Sequence, residues 1–416
     1  MSRIVAALVP ARLGPGYRWL LASSWVTNLG DGVAIAAGPL LVASLTEDAF
    51  LVSLAALLRW APPLVFGLYA GVLSDRLDRR RIVIASDGVR ALVLGALVVM
   101  MIAGSLSVTA ALLALGLLAT AEVFADNTST TLTPMLVHRD DLALANSRLQ
   151  TGFITLNQLV GPPIGAALFA AGRVWPFVTE AVLVAAGVLL VSRVVLPVHG
   201  RGSTAAASNM WRDIAEGFRW TVHHAAVRTL SLTILIFNIT FGAAWSVLVL
   251  YAQQRLGLGA VGFGLLATVS AVGGLIGTAL YGSITRRVSL GNVMRAGLII
   301  ETLTHLALAL TTSPWLASFI FAVFGAHAFI WGTTSITVRQ RAVPSHLQGR
   351  VSSVNTIAVY GGLVAGSAIG GTLASRYGVT APFWFAFIGS AVFVCLLWRE
   401  LSRIAHTDEQ PLPASV

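Results

Sequence analysis

Apolar residues along the chain fall into long runs that are separated by short polar segments. A membrane-spanning helix needs about 20 predominantly apolar residues, and twelve runs approach or exceed that length. The pattern therefore predicts an all-α membrane protein with twelve transmembrane helices. The predicted spans are residues 18–43, 51–72, 82–104, 107–131, 148–171, 174–195, 228–252, 260–282, 290–311, 315–338, 350–373 and 380–399.

One polar segment, at residues 196–227, is much longer than the others. Within it Trp211, Ile214, Phe218 and Val222 recur at helical spacing, which predicts an amphipathic helix along the cytoplasmic membrane surface. The pattern divides the chain into four predicted parts. They are an N-terminal six-helix bundle (1–195), a cytoplasmic linker with the amphipathic helix (196–227), a C-terminal six-helix bundle (228–400) and a cytoplasmic tail (401–416).

The two predicted bundles resemble each other in sequence. A shift of 205 positions aligns Gly161 with Gly366 and Gly165 with Gly370. Repeated halves are typical of secondary transporters, which place their binding site near the interface of the repeats. We therefore expect two pseudo-symmetric six-helix bundles that rock about a central site.

Composition narrows the choice of protein class. Only 11% of the residues are charged, against about 25% in soluble domains, which excludes a water-soluble enzyme. All 27 basic residues are arginine, so a phosphate-binding loop with its lysine and a lysine Schiff base are both excluded. Cys395 is the one cysteine, and we expect no disulfide within the chain, no metal site and no cofactor.

The arginines are distributed unevenly among the predicted loops. They cluster in the N-terminal segment, in the loops after even-numbered spans and in the tail, whereas the opposite loops carry Arg173, Arg255 and Arg376. Because positive residues favour the cytoplasmic side, both termini are predicted to be cytoplasmic. The net charge of +10 is thus interpreted as a topology signal. We expect a lipid bilayer as the partner and no nucleic acid.

The loop after the second span carries a recognisable motif. It contains Gly71, Asp75 and Arg76, followed by Arg79 and Arg80. This arrangement resembles the signature loop of the major facilitator superfamily. The residues around Gly30–Gly32, Gly161–Gly165 and Gly349–Val351 extend the likeness, which is to the branch with the enterobactin exporter and the macrolide and tetracycline efflux pumps.

The resemblance implies a function and a location. It implies proton-coupled efflux, or antiport, of an amphiphilic small molecule such as a drug, natural product or siderophore, by alternating access. The implied location is the bacterial cytoplasmic membrane, with many passes and a monomeric state. In the family the signature loop latches the cytoplasmic side. Here that gate comprises Gly71, Asp75, Arg76, Arg79, Arg80, Asp140 and Arg350.

The physical interpretation of this gate leaves two possibilities open. Asp75 can favour the positive N-terminus of the eleventh span, near Arg350, while the loop arginines pair with Asp87, Asp140 or Asp141. Alternatively, the arginines only set the topology.

Ionisable residues within predicted spans are candidates for proton coupling, because charges in a bilayer are costly. Asp31 lies near the middle of the first span, and Glu122 and Asp126 are one turn apart in the fourth. Each carboxyl could carry a proton or could make a structural hydrogen bond. Arg59 in the second span is their expected counter-charge, or it extends to the membrane surface.

Amides, aromatic rings and one acid complete a predicted substrate pocket, since such pockets combine apolar walls with a few polar anchors. Packing or interfacial roles are the alternative for most of them. Glu301 and His305 are one turn apart in the ninth span, and His327 lies in the tenth. A structural role is the alternative for these three residues. Glu180 is predicted to lie at the membrane interface. The predicted substrate-binding residues are Trp25, Asn28, Asn127, Asn157, Gln158, Asn238, Trp245, Glu301, Trp331 and Asn355.

Three other functions remain to be distinguished from efflux. The chain could be an uptake permease or an uncoupled facilitator of a metabolite, and it could be a receptor without transport. An intramembrane enzyme is disfavoured, because residues 28–31 read Asn-Leu-Gly-Asp and lack the first glycine of the presenilin-type protease motif. The zinc-protease string His-Glu-x-x-His is also missing.

Overall fold

The computed structural model describes residues 11–196 and 210–403, and all regular structure in these residues is helical. Within them, eleven helices are long and apolar enough to cross a membrane. The prediction of an all-α membrane protein is confirmed. Parts of the predicted linker (197–209) and tail (404–416) lie outside the described residues.

The helices are numbered α1 to α14 in chain order. Helix α5 covers residues 142–171 and changes its winding on the way, since Phe153–Val160 forms a π-helix between two α-helical parts. The bounds are α1 Gly14–Leu45, α2 Ala49–Arg76, α3 Arg79–Ile102, α4 Val108–Leu136, α5 142–171, α6 Trp175–Val191, α7 Met210–His223, α8 Ala225–Trp245, α9 Leu248–Gln254, α10 Ala260–Thr285, α11 Leu290–Leu310, α12 Pro314–Ala342, α13 Gln348–Tyr377 and α14 Ala381–Arg403.

Helix α6 is shorter than the span predicted at 174–195. It has 17 residues and is therefore about 25 Å long, against about 30 Å for the hydrocarbon core of a bilayer. The chain leaves the helix at Val191 through a turn that includes Ser192 and Arg193. The twelfth membrane span thus stays a prediction.

Polar caps define the starts of several helices. Ser107, Ser289 and Ser313 each accept a hydrogen bond from the backbone N–H three residues ahead, which satisfies a donor that the first helical turn leaves unpaired. At the other end of α13, Gly378 has φ of +88°, a conformation that favours glycine after a helix. These residues mark where the long apolar helices begin and end.

The helices group into two compact units. In the first unit, α1 packs against α4, α5 and α6, and α3 packs against α4 and α6. In the second, α8 packs against α12, α13 and α14, and α11 packs against α12 and α14. The order of packing is therefore the same in both units. The first unit comprises Met1–Glu47, Leu58–Ala206 and Gly259–Thr268, and the second comprises Asp48–Leu57, Ala207–Leu258 and Val269–Val416.

Glycines allow the backbones of α1 and α5 to pack in direct contact in the first unit. A Cβ atom at Gly161 would overlap the backbone of Gly32, and one at Gly165 would overlap the carbonyl oxygen of Val33. A Cβ at Gly32 would lie 2.7 Å from the carbonyl oxygen of Asn157, within the π-helical part of α5. No side chain larger than hydrogen fits at these crossings.

The same contact recurs between α8 and α13 in the second unit. A Cβ at Gly366 would overlap the carbonyl oxygen of Ile239, and one at Gly370 would overlap that of Ala243. Gly366 and Gly370 are the residues that the sequence repeat aligns with the first unit's glycines. The repeat therefore marks one helix crossing that both units use.

The amphipathic helix predicted in the linker is present as α7, but one of its faces is buried on protein. Gly217 packs on the backbone of Arg350 at the start of α13. The Arg350 guanidinium donates to Asp213 at 2.9 Å and to Glu216 at 2.7 Å. Phe218 remains 59% exposed. The helix thus combines a docked face with a separate exposed apolar stripe.

Candidate functional site

A buried ionic cluster lies among three helices of the first unit. The Arg90 guanidinium on α3 forms an ion pair with Asp31 of α1, contacts Asp87 of its own helix at 3.1 Å and lies 3.7 Å from Glu180 of α6. None of the four side chains is more than 7% exposed. We call these four residues the Arg90 cluster.

The cluster holds three carboxyls around one guanidinium. If all three carboxyls were ionised, two negative charges would remain uncompensated in a buried site, which costs several kcal/mol per ion. Binding protons at carboxyls removes that cost. The cluster therefore combines one fixed positive charge with three carboxyls at which a proton can bind.

The structure corrects two expectations about these charges. Arg90, rather than Arg59, is the counter-charge of Asp31, and the Arg59 guanidinium lies 5.3 Å from the ring centre of its neighbour Trp60. Glu180 is 3% exposed and lies 3.7 Å from Arg90, so its side chain is buried within the protein. Asp87, which was expected to pair with the signature loop, has Arg90 as its ion-pair partner among the described residues.

Sequence reasoning missed Arg90, although a signal was present. Asp87 and Arg90 are three residues apart in one predicted span, and two opposite charges at that spacing share a helix face. A charged pair inside a span is expensive in lipid and points to a polar partner on another helix. The identity of that partner depends on which helices pack together.

Glu122 and Asp126 lie one turn apart on α4, as predicted. Glu122 is partly buried and lies within electrostatic range of Arg90, whereas Asp126 is exposed. Both carboxyls therefore lie within electrostatic range of Asp31 and Arg90, and Asp126 also has an exposed side chain.

A second buried group of ionisable residues lies in the second unit. The Nε2 atom of His327 on α12 is 3.5 Å from a carboxyl oxygen of Glu301 on α11, with side chains 4% and 12% exposed. His305, one turn from Glu301, is fully buried. Its ring lies edge-on to Trp245, at 5.9 Å between ring centres.

Rings of α8 and α12 cover this group. Trp245 stacks on Phe241 at 4.4 Å between ring centres and lies 4.7 Å from Phe324 and 5.5 Å from Phe321. We call Phe241, Trp245, Phe321 and Phe324 the aromatic cluster. The ring centre of Phe324 in turn lies 5.9 Å from that of His327. The aromatic cluster therefore packs beside the ionisable residues.

Several other predicted substrate residues make contacts within the protein. Asn28, Asn127 and Asn238 each donate to the carbonyl four residues earlier on the same helix, at 2.7, 3.0 and 2.7 Å. The Trp25 indole donates to the carbonyl of Arg148 at 3.1 Å. In all three asparagines the amide nitrogen is thus the donor of a bond within its own helix.

The remaining predicted substrate residues differ in their surroundings. Asn157 is buried in the π-helical part of α5 and accepts a hydrogen bond from Gln158. The indole nitrogen of Trp331 and the amide oxygen of Asn355 are buried without a hydrogen-bond partner among the described residues. Trp331 packs beside His327, because both would meet a Cβ placed at Gly297.

Among the described residues, the acids that were expected as partners of the gate arginines contact other groups. Asp140 is 89% exposed and lies 3.2 Å from His138, while Asp141 pairs with Arg12 at 3.1 Å. Arg350 binds the acids of α7, as described above.

The signature loop itself is bound partly to the backbone. Arg79 donates to the carbonyl of Ser74 at 3.0 Å, and Arg80 donates to the carbonyl of Ser192. Ser74 donates to the carbonyl of Gly71 at 2.8 Å, and Arg76 is exposed at the end of α2. Asp75 lies in the last turn of α2, with its side chain outside the described part of the structure.

Comparison with known proteins identifies the class. The chain is 29% identical to the multidrug efflux pump Tap of Mycolicibacterium fortuitum, over 88% of this chain and 90% of that protein. It is 24% identical to the enterobactin exporter EntS of Salmonella choleraesuis, over 95% of each chain. A solved structure of a bacterial homologue of the iron transporter ferroportin matches with a TM-score of 0.71 at 17% identity, over 95% of this chain and 100% of that one.

The fold and its relatives define a multi-pass membrane transporter rather than an enzyme. A family model described as transmembrane secretion effector matches residues 6–415, and the chain belongs to this family of the major facilitator superfamily. The predicted resemblance to the efflux branch is confirmed.

Proposed function

We propose that this protein is a proton-coupled exporter that moves an amphiphilic small molecule out of the bacterial cytoplasm by alternating access. The Arg90 cluster carries the proposal, because three buried carboxyls share one guanidinium. The names of two relatives, a multidrug efflux pump and an enterobactin exporter, support efflux and an amphiphilic substrate.

The proposed coupling step is a change of partner at Arg90. A proton that binds Asp31 removes its negative charge and weakens its hold on Arg90, which keeps Asp87 and Glu180 as partners. Because Asp31, Arg90 and Glu180 lie on different helices, this exchange changes the attraction among α1, α3 and α6. Glu122 lies within electrostatic range of Arg90, so its charge also acts on the cluster.

The accumulation of test compounds in a pump-deficient bacterial host measures this function. Ethidium, tetracycline and erythromycin serve as probes, each with and without an uncoupler. We expect lower accumulation with the wild type than with an empty vector, and no difference once the uncoupler is added. The variant Asp31→Asn should lose the effect, whereas Glu47→Gln, which removes an exposed carboxylate, should keep it.

Three results would contradict parts of this proposal. Full efflux by Asp31→Asn would remove Asp31 from coupling, and efflux that persists with the uncoupler would favour a facilitator. Higher accumulation with the wild type than with the vector would indicate an uptake permease. Membrane content of each variant, measured by immunoblot, is the expression control.

We further propose twelve spans, with α6 as the sixth, cytoplasmic termini and a monomer in the cytoplasmic membrane. The loops that follow α2, α4, α10 and α12 are then cytoplasmic, where the signature loop acts as a gate with Arg350. Fusions to green fluorescent protein and alkaline phosphatase test this topology. We expect fluorescence from a C-terminal fusion and phosphatase activity from an insertion after Gly172; the reverse pattern would contradict it.

A further inference from the structure

The side of α7 that faces away from α13 takes no part in the proposed coupling step. The docked side is defined by Gly217, which packs on the Arg350 backbone, and by Trp220, which packs against a buried apolar cluster that includes Val351. An α-helix has about 3.6 residues per turn, so Gly217 and Trp220 share one face. The other faces of α7 are largely exposed.

An apolar stripe runs along α7 beside the docked face. Phe218 and Val222 are one turn apart, so their side chains lie on the same side of the helix. They are 59% and 38% exposed, and Ala215 on the same side is exposed as well. Each residue turns an α-helix by about 100°, so Phe218 points about a quarter turn away from the docked Gly217. The stripe therefore lacks the protein cover that Gly217 has.

The charged residues of α7 are divided between two parts of its surface. The acids Asp213 and Glu216 both bind the Arg350 guanidinium, at 2.9 and 2.7 Å. Arg212 and Arg219 are exposed, and they share a face because they are two helical turns apart. The acids are thus turned toward Arg350 in the docked contact, whereas the arginines remain on the outer surface.

The place of α7 in the chain puts it at a bilayer surface. It ends at His223 and α8 begins at Ala225, so a single residue separates α7 from a helix that is long and apolar enough to cross a membrane. An apolar stripe flanked by arginines is typical of helices that lie in the membrane interface. Acyl chains cover such a stripe, and anionic head groups attract such arginines.

We propose that α7 binds anionic phospholipids of the leaflet at which α8 begins. Phe218 and Val222 insert between acyl chains, and Arg212 and Arg219 bind the phosphate groups of the surrounding lipids. Arginine suits this role because its N–H groups bind phosphate oxygens in pairs. The interaction requires neither export nor proton coupling, and it adds a lipid partner to the function proposed above.

Two labels on adjacent residues measure the insertion of α7. In a Cys395→Ser background, Val222→Cys places a fluorophore on the apolar stripe, and His223→Cys places one on another exposed face. The label is nitrobenzoxadiazole, whose emission shifts to shorter wavelength in apolar surroundings, and the purified proteins are reconstituted in nanodiscs. We expect emission at shorter wavelength from Val222→Cys than from His223→Cys. Because anionic head groups attract the arginines, this shift should be about twice as large with mixed phosphatidylcholine and phosphatidylglycerol as with phosphatidylcholine alone.

Charge variants of the protein labelled at Val222→Cys test the head-group contact. Arg212→Gln combined with Arg219→Gln should abolish the effect of phosphatidylglycerol, whereas Arg212→Lys combined with Arg219→Lys keeps both charges and should retain at least half of it. Arg376→Gln, which changes an exposed arginine in the last turn of α13, is the matched control and should leave the effect unchanged. Added salt should reduce the effect, because it screens exposed charges.

Three outcomes would overturn the proposal. Equal emission from Val222→Cys and His223→Cys in both lipids would place the stripe outside the bilayer, where a soluble partner could bind it. Equal shifts with and without phosphatidylglycerol would refute the preference for anionic head groups. A shift that is unchanged by the two glutamine substitutions would remove Arg212 and Arg219 from the lipid contact.

Discussion

The Arg90 guanidinium on α3 and the Asp31 carboxyl on α1 form an ion pair in which neither side chain is more than 7% exposed. The pair joins residues that are 59 positions apart in the chain. Removing one partner from a buried pair leaves an uncompensated charge, whereas removing both does not. The stability of the first unit should depend on the balance of this cluster.

Arg90→Gln is expected to destabilise the protein by about 3–5 kcal/mol, because three buried carboxyls lose the guanidinium that they contact. The double variant Arg90→Gln with Asp31→Asn should recover part of this loss. Thermal unfolding of the detergent-purified proteins measures both. Arg76→Gln, which changes an exposed arginine, is the control, and an equal loss there would contradict a role for burial.

Alanine at the glycine crossings should also destabilise each unit. Gly165→Ala places a methyl group on the carbonyl of Val33, and Gly370→Ala places one on the carbonyl of Ala243. Overpacking of this kind costs about 1–3 kcal/mol. Gly95→Ala adds its methyl group where no atom lies within 4 Å, so it should leave the unfolding temperature unchanged or raise it.

Two tyrosine hydroxyls, one in each unit, form buried hydrogen bonds whose contribution to stability can be measured. The hydroxyl of Tyr17 donates to the carbonyl of Ala145 at 2.7 Å, and that of Tyr251 donates to the carbonyl of Leu308 at 2.6 Å. Replacement by phenylalanine leaves a buried carbonyl without this donor and should cost about 1–3 kcal/mol. A shift below 1 °C in the unfolding temperature for both variants would refute the expectation.

The contact between α7 and α13 should depend on packing more than on charge. Arg350, Asp213 and Glu216 are 34%, 28% and 48% exposed, and exposed ion pairs contribute about 0–1 kcal/mol. Arg350→Gln should therefore have a small effect on unfolding, whereas Gly217→Leu should have a large one because its Cβ already meets the Arg350 backbone. The opposite ranking would show that the ion pairs hold the helix.

Two features of this fold, the apolar runs and the aligned glycines, were predictable from the sequence. Hydrophobic length predicted twelve spans. Eleven helices of the described residues are long and apolar enough to cross a membrane, whereas α6, at the predicted sixth span, has 17 residues. The aligned glycines, Gly161 with Gly366 and Gly165 with Gly370, mark the same crossing in both units. The first signal is the length of each apolar run. The second is the recurrence of glycine, which has no side chain, at matching positions of the two repeats.

The site was less predictable because its contacts join distant residues. Arg59 and Arg90 both lie in predicted spans, and only helix packing decides which of them meets Asp31. Glu180 lies five residues after the start of α6 and still is buried, because α1 and α3 cover it. The pairing of Glu301 with His327 likewise needed the contact between α11 and α12.

Cys395 is the only cysteine in the chain, and its side chain is exposed on α14. The chain therefore offers a single native thiol, at a defined point of the second unit, for a spin label or fluorophore. A single introduced cysteine, for example Gly95→Cys on an accessible position of α3, completes a labelled pair. Distances between labels can then be followed through the transport cycle without first removing any native thiol.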